Sequence, residues 1–322
     1  MKKLPFYFLV IFFGSLVFSR EIVFKNKESH NPVLTIDSIE SNKIVKLISE
    51  ESHIPTWTTF YQIEEGKDIA VSFEHNGYSS EINNSSFMLE AINNSDFFSS
   101  NNSQFPENNL IISEPQVFRG ILVRKIIFIP FTYNLETHEL ITFNDVEIFI
   151  NDVNTDITYS YNNVKLSKSF EPLFEDLIIN YEPSSREEDY QAPSILYICG
   201  GSSINHPYVE DLVEWRHKRG YIVNTVSTSD IGNSTVNVKN YIQNAYENWE
   251  NPPEIVGLIG DTGGSYSIGY YTEGWSGYNG AGDFPYCQLD GSDLLPEIFI
   301  GRISVNSSSE LSNVLNKTLA YE

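Results

Sequence analysis

The stretch GDFPYCQLDGSDLLPEIFIGR, Gly282 to Arg302, gathers four carboxylates, Asp283, Asp290, Asp293 and Glu297, just ahead of the apolar run Ile298–Ile300. Carboxylates this close repel one another unless something offsets their charge. Asp290, Asp293 and Glu297 fall within eight residues, and Gly291 allows a tight turn between them. Calcium takes hard oxygen ligands from carboxylates, carbonyls and water, and a short acidic loop can supply several. The spacing is not that of an EF-hand, whose loop is longer. Asp261 follows the apolar run EIVGLIG and can meet the acidic loop if both leave the same sheet. The same spacing equally describes a turn at Asp290-Gly291 with its acids in water, and spacing alone leaves both readings open.

A second chemistry to weigh is thiolate catalysis. The chain has two cysteines, Cys199 and Cys287. A Cys199/His206 dyad needs an exposed, activated thiolate. Cys199 instead ends the apolar run SILYIC with no cationic neighbour, and Cys287 follows Tyr286 in an aromatic stretch, so both are read as core residues. His217 is read as a solvated residue in the last turn of a helix. No Gly-rich dinucleotide or phosphate loop is present, no G-x-S-x-G elbow, and no histidine pair at zinc spacing.

The elements that position these groups lie in the second half. SILYICGG is a continuous apolar run ending in two glycines, as buried parallel strands do. HPYVEDLVEWRHKRG carries Pro207 near its first turn, acids at 210 and 211, a stripe of Val209, Leu212, Val213 and Arg216, bases at 217–219 and Gly220 past its end. These are helix start and stop signals. YIVNTVST is a second strand, VNVKNYIQNAYENW a second helix stopped by Pro252-Pro253, and EIVGLIG a third strand. A β-α-β-α-β order implies right-handed crossovers and a parallel sheet. Working residues in such sheets lie beyond the carboxyl ends of the strands, where Cys199-Gly200-Gly201 and Asp261 fall.

The first half has another period. DIAVSFEHNG, VRKIIFIPFTYN and ELITFNDVEIFIN are rich in β-branched and aromatic residues and are punctuated by Asn, Asp, Gly and Pro, so residues 20–180 are read as a β-sandwich. Its one helix candidate spans 170–179, and the Asn/Ser-rich stretch 83–109 is read as a surface excursion. Residues 181–193 are polar, charged and flanked by prolines, which predicts an exposed linker. The N-terminus, Met1-Lys2-Lys3 followed by a short apolar run, reads as a signal peptide over 1–19. A formal net charge of -23 repels phosphate backbones and argues against a nucleic-acid partner.

The order of these pieces resembles the gingipain family of cysteine peptidases. DFPYCQLDGSDLLPEIFIGRISV with the following SSELSNVLNKTLAYE is similar to that family's catalytic domain, as is the upstream strand–helix pattern ending in IVGLIGD. SEPQVFRGILVRKIIFIPFTYNLETHELITFNDVEIFI is similar to its propeptide. The similarity covers nearly all the chain after the signal peptide. It implies a secreted or cell-surface zymogen, with a β-sandwich propeptide-like domain followed by an α/β domain of caspase-like, gingipain-like type. That domain, 194–322, is truncated before its catalytic end. The implied activity is hydrolysis of peptide and protein substrates by a Cys thiolate with His as general acid/base. The family's histidine sits in a Gly-His-Gly turn with the cysteine on a later strand, both downstream of Tyr321-Glu322, so no catalytic residue is assigned in this chain and the chain alone is expected to be inactive. The propeptide is an intramolecular partner, and no membrane span is expected beyond the signal peptide. The resemblance also implies structural calcium, its ligands carried over onto Asp261, Asp290, Asp293, Leu295 and Glu297, with Asp290 and Leu295 acting through backbone carbonyls. Asp283 receives no ligand role. Arg186, the one basic residue of the linker, is the candidate maturation site. Two rival classes are a non-catalytic, calcium-dependent surface or adhesion module and an inactive peptidase homologue.

Overall fold

The computed structural model describes residues 23–25, 33–36, 56–93, 95, 102–275 and 278–322; the signal-peptide reading at 1–19 lies outside them. The chain divides into two compact units. The first takes in the described residues up to Thr58 together with Ala70–Ile111 and Ile127–Asn151. The second takes in Thr59–Ile69, Ile112–Ile126 and Asp152–Glu322.

In the first unit, Tyr78–Ile82, Glu139–Phe143, Phe131–Asn134 and Gln104–Phe105 form an antiparallel sheet in that spatial order. The two strands around Asn144-Asp145 are present but do not pair with each other. Glu139–Phe143 stays in this sheet, while Val146–Asn154 joins a second one beside Val33–Ile36. Asp145, at φ 47, turns the chain from one sheet to the other. The excursion expected at 83–109 is partly helical. Ser86–Asn93 is a helix whose Ile92 is buried among Phe105, Ile129, Phe131 and Tyr133. Met88, Leu89 and Ile92 share one helical face, a pattern that the surrounding Asn and Ser residues obscure.

In the second unit, Ser194–Cys199, Ile222–Ser227, Ile255–Ile259 and Phe299–Ile303 form a wholly parallel sheet. Their spatial order places Ile222–Ser227 at one edge, then Ser194–Cys199, Ile255–Ile259 and Phe299–Ile303. Alternation along the buried strand Ser194–Cys199 sorts its side chains to two faces. Leu196 and Ile198 pack with Val238, Ile242, Ala245 and Tyr246 of the helix Thr235–Asn248. Ile195, Tyr197 and Cys199 pack with Val209 and Leu212 of the helix Pro207–Lys218 and with Leu311 and Leu315 of the helix Ser308–Tyr321. Both faces are thus covered, as an apolar run requires. Pro207 opens its helix, and Gly220, at φ 92, follows its end.

Segments from the first half complete this unit. Most of the strand Trp57–Gln62 and of the strand Ile121–Phe128 belongs to it, and Gln116–Phe118 pairs antiparallel with Ile121–Phe128. The helix Glu171–Leu177 falls inside the 170–179 candidate and buries Phe174 beside Phe118 and Phe170. Across 181–193 the chain is largely exposed, Arg186 included, and holds a single helical turn, Glu187–Asp189, but Tyr190 and Gln191 are buried.

Candidate functional site at the two edges of the parallel sheet

Parallel strands leave the sheet with two chemically distinct edges. At the carboxyl edge stand Cys199, His206 and Asp261. Cys199 is fully buried, and burial pushes its thiol up to about 12. Cys287, on the other face, is pushed up to about 12 by the same cause. Both are free thiols, and neither is ionised at neutral pH. His206 caps its helix, with Nδ1 accepting the Tyr208 N–H at 3.2 Å. That bond fixes the tautomer, so Nε2–H faces Ser308 Oγ at 3.0 Å and Ser312 Oγ at 3.2 Å. The ring tethers two helices and does not address Cys199, which removes the Cys199/His206 dyad.

Asp261 is occupied at this edge. Its Oδ1 accepts from Ser304 Oγ at 2.6 Å and from the Thr262 N–H at 2.8 Å, and its Oδ2 from Asn306 Nδ2 at 2.7 Å. The Ser304 bond first, then the Thr262 N–H, holds its carboxyl below the usual range.

The acidic loop lies at the opposite, amino edge. The backbone N–H of Phe299 bonds Glu254 O at 2.8 Å, just before the strand Ile255–Ile259 begins. No hairpin forms over 283–297. The chain makes one tight turn at Phe284–Tyr286 and then an irregular loop with Gly291 at φ 70. Asp290 Oδ2 accepts the Asn162 N–H at 2.7 Å. Asp293 accepts the Val117 N–H at 3.1 Å through Oδ2 and the Leu295 N–H at 2.8 Å through Oδ1. Glu297 is fully buried; its Oε2 takes the Leu289 and Asp290 N–H groups, while Oε1 has no partner among the described residues. Burial, with Asp293 and Asp290 adding, pushes its carboxyl up to about 8 against the pull of those two N–H groups. Asp283 forms a two-armed ion pair with Arg302, at 2.7 and 2.8 Å.

The structure therefore brings Asp290, Asp293, Leu295 and Glu297 into one loop and leaves Asp261 out. A five-residue strand separates the two edges, which is roughly 13 Å or more at about 3.3 Å per residue. One ion cannot bridge that gap at calcium–oxygen distances of about 2.3–2.6 Å. Among the described residues, no three His, Cys, Asp or Glu side chains stand together as metal ligands. The five residues thus do not fit a single calcium site. Backbone N–H groups meet the loop's charge, and Lys239 lies alongside, donating to Pro285 O at 2.8 Å and to Gln288 O.

Sequence reasoning missed the cation at this edge. Arg119 is 1% exposed. Its Nη1 donates to Pro253 O at 3.2 Å and to Glu297 O, and its Nη2 to Gln191 Oε1 at 3.1 Å. The guanidinium lies 4.9 Å from the Phe170 ring centroid. Glu254, also buried, accepts from Ser169 Oγ at 3.1 Å and from Ser167 Oγ. The sequence carries no local signal for it, since Arg119-Gly120 is not one of the dipeptides that mark a two-residue hairpin turn.

Comparison with known proteins accounts for both halves. Residues 53–187 match the Propeptide_C25 family model and residues 188–322 match that of Peptidase family C25. Gingipain R1 of Porphyromonas gingivalis is 25% identical over 227 residues, 69% of this chain and 22% of its own length. Gingipain R2 of strain ATCC BAA-308 / W83 is 25% identical over 225 residues, 68% of this chain and 29% of its own. Lys-gingipain of strain ATCC 33277 is 23% identical over 216 residues, 63% and 12%. The chain thus spans less than a third of the length of these relatives. Among solved structures, the Arg-specific cysteine proteinase gingipain R (RgpB) aligns with a TM-score of 0.35 at 24% identity, covering 44% of this chain and 31% of that one. The complex of RgpB pro- and mature domains aligns at 0.35 and 14%, covering 51% of this chain and 100% of that one. With the two family matches running on from one to the other, the chain belongs to peptidase family C25, the family of the gingipains, and carries its propeptide.

Proposed function

We propose that this chain is the leading part of a secreted or cell-surface cysteine endopeptidase zymogen of gingipain type. In this reading a signal peptide over 1–19 precedes a β-sandwich propeptide over 20–180, a connecting segment over 181–193 and a caspase-like peptidase domain that begins at 194. The observation that carries it is the abutment of the two family matches at residues 187 and 188, inside the exposed turn Glu187–Asp189. An activating cut needs an exposed backbone, and Arg186 has a side chain 66% exposed. Cys199 and Cys287 are protonated and packed, so the reading places the nucleophilic thiolate and its histidine in sequence after residue 322. What this chain supplies is scaffold: the parallel sheet whose carboxyl edge presents such groups to a peptide substrate. Among the described residues, no helix is long and apolar enough to cross a membrane.

The test is to express the gene with whatever coding sequence follows residue 322 and assay it against mixed peptides with and without a thiol alkylating agent. Turnover that the agent abolishes, with a mature N-terminus between 183 and 194, supports the reading. A folded protein without turnover would make it an inactive homologue.

A further inference from the structure

Arg119 occupies a backbone conformation that its residue type disfavours. It and Gly120 form the two-residue loop between Gln116–Phe118 and Ile121–Phe128, with Phe118 paired to Ile121 and φ values of 44 and 77. Positive φ at both loop positions is what a tight hairpin turn of the type favoured by right-twisted strands demands, and Asn-Gly is its usual sequence. Glycine is required at 120, because a Cβ there would stand 2.8 Å from Val164 Cγ2. An L-residue other than Asn or Asp at the first position costs about 1–2 kcal/mol. Burial adds a second cost, since desolvation disfavours the charged guanidinium and lowers its pKa. A residue that bears two penalties persists where its contacts offset both, and an outlier of this kind points towards function.

Those contacts cross the junction between the two family matches. Arg119 lies in the propeptide match, while Pro253, Glu297 and Gln191 lie in the peptidase match. Its neighbours follow the same rule. The Val117 N–H bonds Asp293, the Asn162 N–H bonds Asp290, Ser169 bonds Glu254, and the Phe170 ring lies 4.2 Å from the Phe299 ring, centroid to centroid. All of these peptidase-side partners are at the amino edge of the sheet. Three buried polar atoms there have no hydrogen-bond partner among the described residues: Arg119 Nε, Tyr246 Oη and Glu297 Oε1.

We propose that Arg119 is the anchor by which the propeptide grips the peptidase scaffold, with the Pro253 and Glu297 carbonyls and the Gln191 amide oxygen as its receptor, so that the two pieces remain bound after the connecting chain is cut. This rests on the reading of residues 53–187 as a propeptide. Cutting at 186 leaves every one of these bonds intact, and release requires the guanidinium to leave its pocket. Grip at the amino edge also leaves the carboxyl edge free of these contacts.

The experiment inserts a site-specific endoprotease sequence after Arg186 in the full chain, cuts it, and follows separation of the pieces by size-exclusion chromatography on dilution. Wild-type pieces co-elute, and raising the salt to about 1 M does not part them, because the guanidinium is buried and its three acceptors are neutral. Arg119→Met speeds separation about 100-fold, the scale for truncating one member of a buried charged contact. Arg119→Lys does the same, because a point charge cannot serve three separated acceptors. Wild-type pieces that part on cutting, or Arg119→Met pieces that stay together as wild type does, overturn the proposal. If Arg119→Met lacks the wild-type circular dichroism before cutting, Gln191→Ala decides: several-fold faster separation supports the anchor and unchanged separation sinks it. Peptidase turnover plays no part in the readout, so a catalytically inactive homologue would still give a clear result.

Discussion

Asp261 and Glu297 stand at opposite ends of adjacent parallel strands, Ile255–Ile259 and Phe299–Ile303, with Asp261 past the carboxyl end of one and Glu297 before the start of the other. The two acids therefore answer to different partners. Asp261 holds the segment 304–306 and Glu297 holds the turn at 289–290.

Calcium dependence separates the two edges. Asp293→Ala removes acceptors from the Val117 and Leu295 N–H groups and is expected to cost about 1–3 kcal/mol. The loss should be the same in calcium and in chelator. Asp261→Ala should leave any calcium response of the melting temperature unchanged. A calcium-induced rise abolished by Asp261→Ala would mean that the edges communicate through an ion after all.

Stability should fall as pH rises through the neutral range. Folded Glu297 keeps its proton to about 8, whereas its ordinary value is 4.5. Between those limits the native state binds a proton that the unfolded chain has lost, so unfolding releases it. The slope approaches about 1.4 kcal/mol per pH unit for one such group. Glu297→Gln should flatten urea-derived stability between pH 5 and about 8 and should raise it at the upper end. A slope that survives in Glu297→Gln would assign the proton elsewhere.

Thiol reactivity offers a direct check on the cysteines. With both thiols pushed up to about 12, iodoacetamide at pH 8 should modify neither in the native chain and both in urea. Rapid native labelling at Cys199 would reopen the case for an activated nucleophile at the carboxyl edge.

His206→Ala should lose its helix cap and the tether to Ser308 and Ser312, at a cost of about 1–2 kcal/mol. His206→Asn, which keeps a capping acceptor, should recover the cap and leave the tether lost. Chemical denaturation of the two variants gives the comparison, and equal losses in both would show that the cap contributes nothing.

The parallel sheet was legible because its signals are local. Apolar runs of strand length, Pro207 ahead of a helix and Gly220 after it are each readable within about a turn of chain. The helix Ser86–Asn93 was hidden because only one of its faces is apolar and polar residues crowd both ends. The roles of Asp261 and Arg119 were illegible for a different reason. Whether Asp261 meets residue 297 depends on which strand ends share an edge, and that is a property of register across the sheet. Arg119 finds Glu297 across 178 residues. No local pattern distinguishes such an arginine from one that simply ends a strand in water.

Cys199 packs against the face of the sheet covered by Pro207–Lys218 and Ser308–Tyr321, and Cys287 against the face covered by Thr235–Asn248. A continuous hydrogen-bonded sheet stands between the two thiols, so they cannot be joined without tearing it. Folding of this chain therefore calls for no oxidant and no disulfide shuffling. Its yield should be indifferent to the redox poise of the compartment through which it passes.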